Sequence, residues 1–115
     1  MPNNEATVWV VMYDPAKDLS DAKQYGELRA VFVKPIYGDD TRFDPVAAAR
    51  SAMKEYQDGD YLLMIGDPMA CGIVMEIALD YSDSQRLNVL RWDRRSMSYR
   101  PSQLNFTQPE EMDNE

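Results

Sequence analysis

The first apolar run, Thr7 to Tyr13 (Thr-Val-Trp-Val-Val-Met-Tyr), has no polar side: odd and even positions alike are β-branched, aromatic or aliphatic. A strand carries that pattern when both faces of its sheet are covered. Leu28 to Lys34 reads the same way and stops at Pro35. Asp60 to Ile65 supplies a third strand, expected at the sheet centre, and Arg86 to Asp93 a fourth. Met97 to Phe106 alternates more loosely around Pro101, which cannot donate to a ladder. It is therefore expected at an edge, antiparallel to the fourth strand.

Helical patterns separate these runs. Asp44-Pro45 places an N-cap carboxylate before a proline at the first helical position, where no N–H is needed. From Val46 to Gln57 a stripe of Ala49, Met53 and Tyr56 follows, with Gly59 just beyond. Asp67-Pro68 repeats the device ahead of Met69 to Tyr81, a segment apolar nearly all round except for Glu76 and Asp80. A shorter helix is predicted from Leu19 to Tyr25, with Asp18 as its cap and Gly26 as its stop. The order is β-α-β-α-β-α-β-β. It predicts an α/β fold: a small three-layer sandwich with a mostly parallel sheet of about five strands and an antiparallel C-terminal edge hairpin. The domain is expected over residues 6–106, between a polar, mobile stretch at 1–5 and an acidic, disordered tail at 107–115. The pattern leaves strand order open.

Composition then narrows the chemistry. The chain has 115 residues, 20 acids against 12 bases, a net charge of −8 and no histidine. The usual general base near neutral pH and the commonest metal ligand are thus missing. A single cysteine, Cys71, excludes internal disulfides and multi-cysteine zinc sites. No apolar run approaches the roughly 18 residues of a membrane span, and no signal pattern opens the chain.

Among local motifs, Ile65-Gly66-Asp67-Pro68 turns a strand directly into a helix, where open α/β sheets hold ligands. Asp67 would put its own carboxylate where an anion should sit, and Pro68 removes a donor. Gly66 and Asp67 are therefore candidates for a ribose or an amine, and a plain helix cap is the competing reading. Asp14, Glu27, Asp67 and Asp93 all fall at strand ends, where carboxylates bind Mg²⁺ if two converge, but spacing brings no pair together. Gly38-Asp39-Asp40 reads as a turn. Cys71 falls in the first turn of a helix but without a base, so it reads as a core residue. No cofactor is called for.

Charge is distributed unevenly. Residues 86–105 carry five arginines (Arg86, Arg91, Arg94, Arg95, Arg100) against one acid, Asp93, whereas residues 1–85 hold 15 acids against 7 bases. A basic hairpin with Trp92 and Tyr99 thus projects from an acidic body. Arginine beside aromatic residues suits a protein interface or nucleic acid; the overall charge disfavours nucleic acid, and an acidic body that docks on a basic partner or mimics DNA is the reading preferred to it. Alternation from Asn88 through Leu90 to Trp92 also permits a buried Trp92.

Three stretches occur together: Tyr13-Asp-Pro with Asp18 to Leu28, Gly59-Asp-Tyr-Leu with Gly66-Asp-Pro, and Leu90-Arg-Trp-Asp-Arg with Tyr99-Arg-Pro. In this order the chain resembles a group of small proteins of tailed double-stranded DNA phages, many of them marine, with no established activity. The likeness spans roughly residues 7–106. Members commonly carry a histidine in the first motif, where this chain has Ala16-Lys17. The resemblance implies a setting, the cytoplasm of an infected bacterium, and no chemistry. In that setting the first expectation is a non-enzymatic accessory protein that touches a host or phage protein through Arg91, Trp92, Arg94, Arg95 and Tyr99, with Tyr25 and Glu27 adjoining. One alternative is a small Rossmann-like nucleotide- or metabolite-binding protein or enzyme using Asp67. Another is a homo-oligomer assembled through the edge strand.

Overall fold

β1 (Thr7–Tyr13) lacks a polar side because it has a neighbour on each edge and a layer on each face. In a computed structural model, which describes residues 6–34 and 42–108, it pairs in parallel with β2 (Glu27–Val33) and with β3 (Tyr61–Leu63). β3 pairs in parallel with β4 (Arg86–Asp93), and β4 pairs antiparallel with β5 (Ser98–Asn105). The sheet order is β2-β1-β3-β4-β5. Trp9 and Val11 face α1 (Pro45–Ala52) and α2 (Pro68–Tyr81), in a core with Ala49, Met53, Val74 and Ile77. Val8 and Val10 face the other way, with Leu63 and Leu90, onto Leu19 and Ala22 of the segment around a 3-10 helix, Ser20–Tyr25. The α/β sandwich, its parallel sheet and its antiparallel hairpin are as the pattern predicted.

The connection from β1 to β2 runs one way across the sheet over one face. Those from β2 to β3 and β3 to β4 run the other way over the opposite face. Direction and face reverse together, as a constant crossover hand requires. The reversal leaves a switch point between the carboxyl ends of β1 and β3.

Three elements differ from expectation. The first helix is 3-10, and Asp18 accepts the Ser20 N–H at 3.0 Å from outside it, so the carboxylate shapes the turn rather than capping an α-helix. α1 ends at Ala52, well short of Gln57. The chain leaves the helix at Met53, turns through a Tyr56 N–H to Met53 carbonyl bond, and then gives the Gln57 N–H to Asp60 Oδ2 at 3.0 Å. β3 spans only Tyr61–Leu63, shorter at both ends than the expected Asp60 to Ile65. Asp60 is 5% exposed, and its two oxygens also accept the Thr7 N–H at 3.0 Å and the Trp9 indole N–H at 2.9 Å. One buried carboxylate therefore joins the start of β1 to the approach to β3. The Gly38-Asp39-Asp40 stretch, residues 1–5 and residues 109–115 lie outside the described residues.

Tyr56, buried behind Trp9, has a hydroxyl with no hydrogen-bond partner among the described residues. Burial, with Asp58 and Asp60 adding, pushes its pKa up to about 12. A buried hydroxyl left unpaired keeps its desolvation penalty. Tyr56→Phe is therefore expected to leave stability unchanged or raise it by up to about 1 kcal/mol, read by urea unfolding. A loss of stability would mean that the hydroxyl has a partner.

Candidate functional site

The hairpin is shaped by its own short-range chemistry. At its tip Asp93 Oδ1 accepts the Arg95 N–H at 3.1 Å and Oδ2 the Ser96 hydroxyl at 3.0 Å. These bonds, the Arg95 N–H above all, hold the Asp93 carboxyl below its usual pKa. Met97 then takes a left-handed backbone, φ 54°, although it is not glycine, and its side chain is exposed. That conformation sets β5 off in register, with Ser98 opposite Asp93 and Tyr99 opposite Trp92.

Trp92 and Tyr99 meet edge to face, with ring centroids 4.9 Å apart. Tyr99 is buried, whereas Trp92 is 43% exposed. Trp92 shares a face with Leu90, as alternation predicts, but the layer that covers Leu90 does not extend over Trp92. Tyr99 is also fastened through its backbone: its N–H donates to Asp21 at 2.7 Å, and its carbonyl accepts from the Tyr25 hydroxyl at 3.1 Å. Tyr25 thus anchors the hairpin to the body. Glu27, at the start of β2, stands at the opposite end of the parallel strands from the tip, so it does not join the same surface.

The same fastening bears on edge assembly. Backbone groups alternate sides along a strand, so Tyr99 and Pro101 present theirs to the outer edge of β5. The pair at Tyr99 is already occupied, and Pro101 has no N–H. A second copy would have outward donors on β5 only from Gln103 onward, a poor template for pairing.

Arg91 lies directly opposite Arg100 across the two strands. Directly opposed like charges destabilise a sheet. Arg100 reaches Asp93 only at 3.9 Å, and both arginines are exposed. With Trp92, Asp93 and Pro101 they line a recess of about 350 Å³. Arg94 and Arg95 are exposed on the tip beside it.

A second depression, of about 480 Å³, occupies the switch point and is lined by Met12, Asp14, Lys17, Lys34, Gly66 and Asp67. Its charges are largely engaged. Asp14 accepts the Ala16 N–H at 3.0 Å and pairs with Lys34 at 3.6 Å, and the first of these contacts does most to lower its pKa. Asp67 caps α2 through the Met69 N–H at 3.2 Å. Gly66 has φ +105°, which accounts for glycine at this turn. Cys71, close by, is half-buried; burial, and secondarily Asp67, push its thiol pKa up, which disfavours the thiolate.

Among the described residues no group of three or more histidine, cysteine or acidic side chains is arranged to hold a metal ion. No helix among them is long and apolar enough to cross a membrane. Sequence reasoning missed two contributors, Asp21 and Lys17: Asp21 acts on Tyr99, 78 residues away, and Lys17 borders the depression opposite Gly66 and Asp67, contacts that no local spacing announces. No curated protein and no solved structure matches the chain. A family model does match, over residues 4–106, and it covers both the hairpin and the switch point: the chain belongs to the phage Pam3 gp32-like protein family.

Proposed function

We propose that this phage protein works without catalysis, in the cytoplasm of the infected bacterium, by docking its β4–β5 hairpin on an acidic surface of a host or phage protein. The observation that carries the reading is the opposed pair Arg91 and Arg100 beside an exposed Trp92. The sheet tolerates a like-charge pair that a partner's carboxylate would relieve, and arginine forks suit carboxylates. Tyr99, clamped by Asp21 and Tyr25, holds Trp92 rigidly, so little side-chain entropy is lost on docking. Tryptophan and arginine are also the types that dominate interface energetics. A net charge of −8 repels nucleic acid at long range and leaves a protein as the better partner.

The test is capture from lysate of the natural host, with and without nuclease, using the wild type, Trp92→Ala and Arg94→Glu/Arg95→Glu. One nuclease-resistant protein held by the wild type and lost from both variants, with melting temperatures little changed, is the expected result. Capture that ignores both variants would overturn the reading. A melting temperature raised by a nucleotide or Mg²⁺ in the wild type but not in Asp67→Asn would move the function to the switch-point depression.

A further inference from the structure

α2 contains more apolar surface than this fold covers. Ala70, Val74, Ile77 and Ala78 are buried, but Met69, Gly72 and Glu76 are exposed, and Ile73, whose inner side packs on the core, is only partly covered; spaced i, i+3, i+4 and i+7, the four form a side that no further layer covers among the described residues. With Val46 and Arg50 of α1 they border a predominantly apolar groove of about 430 Å³. Met69 and Val46 are 52% and 42% exposed. Gly72 is the least expected residue here. Glycine inside a helix costs about 1 kcal/mol relative to alanine, and a Cβ at this position would meet nothing within 4 Å. No contact among the described residues accounts for it, and the open space would admit the close approach of another backbone.

We propose that this α1–α2 face joins two copies of the chain about a two-fold axis passing near Gly72. The charges on the groove rim favour a second copy as the occupant. Arg50 stands on one side, carrying one hydrogen bond to Asp80 at 3.2 Å, and Glu76 stands exposed on the other. A two-fold axis makes such a patch self-complementary, with each Glu76 meeting the other copy's Arg50. Gly72 lets the two α2 helices approach closely, and Met69 and Ile73 fill the groove of the facing copy. The hairpin lies outside this face, so the inference is independent of the docking reading and leaves both copies of Trp92 accessible.

Sedimentation of the full chain tests it. The wild type should dimerise. Gly72→Gln, a good helix former with room for its side chain, should keep the fold by circular dichroism yet weaken the dimer at least about tenfold. Glu76→Arg should do the same, and adding Arg50→Glu to it should restore the dimer. A wild type that stays monomeric at its highest soluble concentration overturns the proposal, as does a dimer that persists in either single variant.

Discussion

Replacing Gly66 with valine is expected to remove about 3 kcal/mol of stability and to lower the melting temperature by about 15 °C. Two effects add. The backbone at Gly66 has φ +105°, where a residue with a Cβ is strained by about 1–2 kcal/mol and a β-branched one by more. The added Cβ would also stand 2.5 Å from the Met12 Cβ and 3.1 Å from its sulfur. A Cβ is fixed to its strand, so a rotamer change in Met12 cannot relieve the overlap, and either β1 or the β3–α2 turn must move. Gly66→Ala should retain most of the loss, because the Cβ itself collides. A valine variant that melts within a degree or two of the wild type would contradict this turn.

Asp60→Asn should cost a further, separate 2–3 kcal/mol in urea unfolding, with an unchanged dependence on denaturant. The carboxylate accepts from three donors, the N–H groups of Thr7, Trp9 and Gln57, at 2.9–3.0 Å. An amide of the same shape has one oxygen and one NH₂. Whichever way it turns, a donor faces the Thr7 N–H on one side or the Trp9 and Gln57 N–H groups on the other. Asp60→Ala leaves all three without their acceptor and should be worse. Equal stability of the asparagine variant would show that the carboxylate is not the junction described.

Both effects mark where sequence reading stopped. The caps were legible because they are local: Asp44 accepts from Val46 and Ala47, and Asp67 from Met69, within three residues. Strand identity was legible for the same reason, since β-branched runs without a polar side carry their own signature. Asp60 bonds across 53 residues to Thr7, and no periodicity announces that. Strand order depends on which crossover takes which face. At the hairpin, residue types and pairing were legible. Which residues stayed exposed was not, because that depends on where the layer over Leu90 ends and on Asp21 and Tyr25, more than 70 residues from Tyr99.

The place of β1 in the sheet has a consequence for how the chain is made. β1 emerges from the ribosome before its neighbours in the sheet, and β2 follows closely enough to cover one of its edges. Its other edge is completed only by β3, some fifty residues later, when Asp60 also arrives to seat Trp9 and Thr7. At synthesis rates of about 5–20 residues per second, an apolar strand edge stands open for several seconds in each nascent chain. During that interval the open edge is a template on which another chain can pair, a hazard that the finished sheet, with both edges of β1 covered, no longer presents.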